Sequence, residues 1–115
     1  MLRRHNNRKI AAQLPPAALF AALGDETRLG LVARLASGQP CSIVQLTEGS
    51  RLTRQAITKH LRVLANAGIV RCTRSGREAL YEFQPRPIME MHEYLESVSR
   101  QWDMALSRLK SFVEQ

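Results

Sequence analysis

Seven side chains between positions 51 and 77 carry positive charge: Arg51, Arg54, Lys59, Arg62, Arg71, Arg74 and Arg77. No Asp or Glu interrupts them. A guanidinium donates hydrogen bonds in a planar fork, whereas an ammonium is a compact point charge. Both suit phosphate oxygens. Arg also bridges guanine with two bonds, and Gln does the same for adenine. Gln55 stands among the cations, as do the hydroxyls of Thr53 and Thr58. This is chemistry for holding a polyanion. Bond-making chemistry is missing from the pattern. There is no G-x-S-x-G, P-loop or H-E-x-x-H, and His92-Glu93 runs on into Tyr94-Leu95-Glu96. No catalytic residue is assigned and no enzyme activity is expected.

The 115 residues carry 17 basic and 10 acidic side chains, a net charge of +7. Residues 51–77 alone account for +7; residues 1–50 add +3, residues 78–85 subtract 2 and residues 86–115 subtract 1. A membrane-surface helix would join its cations to a large apolar face on one element. Here the cations cross several elements, so nucleic acid is the expected polyanion and no membrane partner is expected. No apolar run approaches the ~20 residues of a transmembrane helix. The basic start MLRRHNNRK is followed by a stretch broken at Gln13, Pro15 and Pro16, which leaves no apolar signal-peptide core. A cytoplasmic protein is expected, nucleoid-associated when on DNA. Its length suits one domain, with a basic arm over residues 1–14 and a folded unit over 15–115.

Several elements must hold the cations in place. Pro15 and Pro16 suit the first turn of a helix through Leu23, ended by Gly24. Asp25 is the next cap candidate, opening a helix over about 26–36 with Leu29, Val32, Leu35 and Ala36 at helical spacing. Ser37-Gly38-Gln39-Pro40 breaks the chain. Ser42 and Gln45 have capping-box spacing, and Ile43, Val44 and Leu46 are expected to face inward from a short helix. Thr53 caps a longer helix that ends at Gly68. Its apolar face is Ile57, Leu61 and Leu64, and Arg54, Gln55, Thr58, Lys59 and Arg62 fall in an arc of roughly 140° away from Ile57 and Leu64. The period then shortens: IVRCTR and EALYEF are β-type runs about Ser75-Gly76-Arg77, a hairpin signal with Arg74 and Arg77 at its tip.

Pro85 and Pro87 mark a break. From Ile88, apolar residues recur in steps of three and four: Ile88, Met91, Leu95, Val98, Trp102, Ala105, Leu109 and Phe112. This helix, over about 88–113, is expected to pack along a partner helix. Tyr94, Leu106 and Val113 widen its stripe.

Two helices joined by a short turn and followed by a basic hairpin describe a mainly α winged helix-turn-helix. Its second helix suits the DNA major groove, about 12 Å wide. The expected DNA-binding residues are Arg51, Thr53, Arg54, Gln55, Thr58, Lys59, Arg62, Arg74 and Arg77. An acid-free face of this length is unusual for a merely solvated helix, which mixes signs.

The stretches LGDETRLGLVARL and LTRQAITKHLRVLANAGIVRCTRSGREALYEF resemble the ArsR/SmtB family of bacterial winged-helix repressors, over roughly residues 17–112. Thr53, Ala56, Ile57, His60, Leu61, Leu64, Ala67, Gly68, Ile69, Val70, Gly76, Arg77 and Tyr81 stand in the family's usual places. The resemblance implies a homodimer built on the first and last helices, here through Leu19, Phe20, Met91, Leu95, Val98, Trp102, Leu109 and Phe112. It implies binding to an inverted repeat and repression of transcription. The family's helical metal motif is an E-L-C-V-C-D-L run; the aligned stretch here begins at Pro40 and places Ser42 and Val44 at the cysteine positions. Cys41 is one residue off. Its terminal-helix motif needs Asp, His, His and a carboxylate, where this chain has Pro85, Pro87, Val98 and Gln101. The chain resembles a branch that does not sense metals, so no metal site and no cofactor are expected, and any inducer is unidentified.

The remaining polar residues have plainer explanations. His92 and Glu96 are spaced i, i+4 and lack a third ligand. Cys41 and Cys72 could pair only with Cα atoms within about 7 Å. His60 lies at the edge of the basic helix and suits helix packing. The function expected is a sequence-specific DNA-binding repressor. The competing possibilities are a winged-helix module for protein or RNA, a thiol-based redox-responsive repressor, and a small-molecule-responsive module.

Overall fold

The computed structural model describes residues 14–114. The expected arm falls outside them apart from Leu14. Helix α1 (Pro16–Leu23) starts on the two prolines, with Pro16 at a position whose N–H would have no intrahelical acceptor. Helix α2 (Glu26–Ala36) is capped by Asp25, whose carboxylate accepts from the Arg28 backbone N–H at 3.0 Å. Leu31 and Leu35 are its buried residues, whereas Leu29 is exposed. Both sets fit a helical period, and the neighbours of α2 select between them.

A two-residue strand, β1 (Cys41–Ser42), precedes helix α3 (Ile43–Thr47). The capping box forms: the Ser42 hydroxyl accepts from the Gln45 N–H, and the Gln45 side chain accepts from the Ser42 N–H. Leu46 is buried and Ile43 half-buried, but Val44 faces solvent, contrary to the sequence expectation. A five-residue helix with one neighbouring helix has one buried side only.

Helix α4 (Arg54–Asn66) starts at Thr53, whose hydroxyl accepts from the Ala56 N–H at 3.1 Å. It stops where Gly68 adopts φ +76°, a conformation that L side chains rarely hold. Strands β2 (Val70–Ser75) and β3 (Glu78–Phe83) form the hairpin, in register from Val70–Phe83 to Ser75–Glu78. Gly76 turns it at φ +65°. β1 pairs with the outer side of β3, so the sheet is three-stranded and antiparallel, in the order β1–β3–β2. Two residues carry no period, so β1 has no sequence signal of its own.

Helix α5 (Pro85–Glu114) begins three residues earlier than the spacing suggests. Pro85 and Pro87 lie in its first turn, where missing N–H donors cost nothing, so they start the helix instead of breaking the chain. At 30 residues α5 is about 45 Å long. The core draws on α1, α2, α3, α4, β2 and the start of α5: Leu19, Leu31, Leu35, Leu46, Ile57, Leu61, Leu64, Ile69, Val70 and Met91. Only Pro87 and Met91 of α5 are buried. Its second half runs clear of that core, and the radius of gyration is 18.6 Å against roughly 13 Å for a compact chain of this size. No helix among the described residues is long and apolar enough to cross a membrane.

Candidate nucleic-acid interface

Helix α4 divides into two faces because its main apolar stripe meets the core, whereas Val63 is exposed. Ile57, Leu61 and Leu64 are buried there. Opposite them, Arg54, Gln55, Thr58, Lys59 and Arg62 line one shallow depression of about 300 Å³. The sequence arc is therefore a single continuous surface. Arg51 and Thr53, at the entrance to the helix, are exposed, and so are Arg74 on β2 and Arg77 in the turn. The wing is carried beside α4 because β2 follows Gly68 directly. The Ile69 N–H donates to the Leu64 carbonyl, and the Gln84 N–H to the Ile69 carbonyl, which locks the root of the hairpin to the helix.

Three cations or hydroxyls in this region are partly occupied already. Thr53 spends one acceptor on its cap. Thr58 donates its hydroxyl hydrogen to the Arg54 carbonyl at 2.7 Å, so it offers incoming groups an acceptor only. Arg71 is bonded to Glu82 across the hairpin. That pair neutralises one of the seven charges of the acid-free stretch, a pairing that sequence order hides because Glu82 lies 11 residues away. Burial holds the Tyr81 phenol above its usual range, and the adjacent Cys72 thiol pushes it the same way, so the ring presents a neutral hydroxyl beside the basic face.

Cys41 and Cys72 stand in register with Tyr81 from its two sides. Two strand spacings, on the order of 10 Å, separate them. No disulfide can join them without backbone movement. His92 pairs with Glu96 at 3.3 Å, and Glu96 also lies 3.9 Å from Arg100, an exposed ion-pair chain along α5. Among the described residues no three of His, Cys, Asp and Glu converge on one point.

The residues expected at a dimer contact fall into two groups. Leu19 and Met91 are buried in the chain's own core, which corrects their assignment to the contact surface. Phe20 is half-buried against Tyr94, with ring centroids 6.2 Å apart. Val98 is half-buried, and Leu95, Trp102, Leu109 and Phe112 are exposed, as are Leu106 and Val113.

A core-packed helix with a cationic outer face, a short preceding helix and a basic wing define a winged helix-turn-helix. Comparison with known proteins agrees. A helix-turn-helix domain family matches residues 23–73. An uncharacterized HTH-type transcriptional regulator of Bacillus subtilis, YuzN, is 35% identical over 80 residues, covering 64% of this chain and 87% of that protein. The HTH-type transcriptional repressor SmtB of Mycobacterium tuberculosis is 35% identical over 63 residues, 55% of this chain and 46% of SmtB. An ArsR-like transcriptional regulator of Rhodococcus superposes with a TM-score of 0.76 at 33% identity, covering 84% of this chain and 91% of its own. The chain belongs to the ArsR/SmtB family of helix-turn-helix transcriptional regulators.

Proposed function

We propose that the protein is a homodimeric transcriptional repressor that binds an inverted-repeat operator, with α4 in the major groove and the wing on the flanking backbone. The observation that carries this reading is the single acid-free depression formed by Arg54, Gln55, Thr58, Lys59 and Arg62 on the outer face of α4. Arg54 and Gln55, at the helix start, are the candidates for base edges; Lys59 and Arg62 suit phosphates. Arg51, Thr53, Arg74 and Arg77 extend the contact to the backbone on either side.

A dimer is supported by the exposed apolar stripe of α5, which meets Phe20 of α1 at Tyr94 and Leu95. In this reading residues 15–115 form one winged unit, α5 is its dimerisation helix, and residues 1–14 are an arm. Two symmetric heads would read half-sites about 34–36 Å apart. The repressor role is supported by the similarity to SmtB. No metal cofactor is assigned, because Ser42, Val44, Pro85, Pro87, Val98 and Gln101 supply no ligand set at the family's metal positions. The proposed regulation uses no divalent cation at those positions.

The test is selection from a random-sequence duplex library with the purified protein, followed by sequencing and by sedimentation of the complex. The expected product is an inverted repeat bound by two protomers. Recovery of no preferred duplex, or of a single half-site bound by one protomer, would refute the reading. Arg54→Ala, Gln55→Ala and Lys59→Ala should each weaken binding to the selected duplex while the dimer persists. Arg77→Ala should weaken selected and random duplexes alike, since phosphate contacts carry little sequence information.

A further inference from the structure

Arg28 holds three elements together. Its Nε donates to the Ala22 carbonyl at 2.6 Å and one terminal nitrogen to the Ala21 carbonyl at 3.3 Å, both at the end of α1. Its other terminal nitrogen lies 3.2 Å from Nδ1 of His60, on α4. Arginine has no acceptor, so Nδ1 of His60 must be the unprotonated, accepting nitrogen. Asp25, the cap of α2, sits 3.8 Å from the same Nδ1. His60 follows Lys59 in sequence, and Lys59 lines the basic depression. The guanidinium thus ties the end of α1 to the middle of the helix that carries the basic face.

We propose that Arg28 and His60 are positioning residues for DNA binding: the guanidinium clamps α4 against the α1–α2 corner through His60, and protonation of His60 releases the clamp. The inference rests on α4 being the helix that reads DNA. A proton on Nδ1 removes the acceptor that Arg28 uses and sets two cations 3.2 Å apart. Among the described residues the anion facing the ring is Asp25, whose carboxylate already accepts from the Arg28 N–H and is held below its ordinary range mainly by that bond. Helix α1 brings backbone carbonyls to this corner and no charged side chain. On α4 the positions one turn away, Ala56, Ile57, Val63 and Leu64, are apolar. Protonation therefore exchanges a bond to Arg28 for a longer pairing with Asp25, and the orientation of α4 changes partner. The direction is fixed: the clamp holds at high pH and loosens as pH falls.

The test follows binding to the selected duplex by fluorescence anisotropy at constant salt, stepping from pH 8 to pH 5.5. The wild-type protein should lose affinity by about tenfold over that fall, the scale of one hydrogen bond to a charged group. His60→Asn places an amide oxygen at the branch occupied by Nδ1, so it should bind at pH 8 within about threefold of wild type. It has no titrating ring, and its profile should be flat. His60→Ala and Arg28→Lys should bind about tenfold more weakly at pH 8. A merely structural contact would lower the melting temperature without tilting the pH profile of binding. An unchanged profile in His60→Asn overturns the inference, as does wild-type affinity in both His60→Ala and Arg28→Lys. Lys59→Ala, measured alongside, separates the two levels. If it loses affinity while the Arg28 and His60 variants do not, the clamp alone fails. If it binds normally, or if selection yields no duplex, the assignment of α4 fails and the clamp falls with it.

Discussion

Helices α4 and α5 both carry apolar side chains at steps of three and four. In α4, Ile57, Leu61 and Leu64 are 1%, 0% and 0% exposed; in α5, Trp102, Leu109 and Phe112 are 65%, 59% and 76% exposed. The first stripe is met by α1, α2, α3 and the root of the wing. The second, beyond Val98, faces solvent among the described residues. Charge divides the same two helices in the opposite sense. The outer face of α4 is wholly cationic or neutral, whereas residues 86–115 carry 4 basic and 5 acidic side chains. One helix is finished by its own chain and leaves its polar face for a polyanion. The other leaves its apolar face uncovered by its own chain. An amphipathic pattern alone identifies a face to be covered; which molecule covers it is a separate question.

The two stripes should respond most differently to truncation at their centres. Leu61→Ala should destabilise the fold by about 2–5 kcal/mol, because a fully buried leucine leaves a cavity in rigid surroundings. Urea unfolding measures it, and a loss under ~1 kcal/mol would mean α4 is not the core helix described. Trp102→Ala should instead act on association, by about 2 kcal/mol or more if the ring anchors the interface. Sedimentation over a concentration series would show the dimer dissociating roughly thirtyfold more readily. An unaltered dimer would remove α5 as the interface.

Smaller effects sharpen the polar half of the contrast. Removing Arg54 or Lys59 should flatten the log–log salt dependence of DNA binding by roughly 0.9 for each phosphate ligand removed, so the slope distinguishes a phosphate ligand from a base-edge ligand. Asp25→Ala removes the cap of α2 and should lower the melting temperature at neutral pH. Because the Asp25 carboxyl sits below its ordinary value in the folded chain, its contribution is complete above that ordinary value and fades as pH falls through the lowered one. The difference between Asp25→Ala and wild type should therefore shrink in acid. Smallest of all, Arg71→Ala should change stability by less than about 1 kcal/mol, as exposed ion pairs do. It should change DNA affinity less than Arg74→Ala, since Glu82 already holds the Arg71 charge.

Much of the local structure was legible in the residues. Asp25, Ser42 and Thr53 cap the helices they precede, Gly68 stops α4, and Ser75-Gly76-Arg77 turns the hairpin, because each depends on atoms within a few positions along the chain. The five-residue arc of α4 was legible for the same reason: helical geometry alone sets it. Features that depend on distant neighbours were not. β1 exists only because β3 lies beside it. Leu31 is buried instead of Leu29 because α2 packs on one side. Leu19 and Met91, expected at the dimer contact, fill the chain's own core. The prolines at 85 and 87 mark a break by sequence, yet α5 begins on them, because its first turn needs no N–H donors.

The acid-free stretch of residues 51–77, the alternation of periods and the unbroken stripe of α5 are properties of residue order, and they determined a basic face and an apolar helix in need of cover. Tertiary structure decided how those parts are used. It neutralised Arg71 with a carboxylate from the opposite strand, turned the Thr58 hydroxyl back on its own helix, and set Cys41 and Cys72 on either side of Tyr81, beyond disulfide reach. It also brought Arg28 to His60 across 32 positions of sequence. Local caps and periods follow from short-range sterics and hydrogen bonds, which sequence spacing encodes directly. Pairings between separate elements follow from packing, and packing is settled only when every face has found its neighbour.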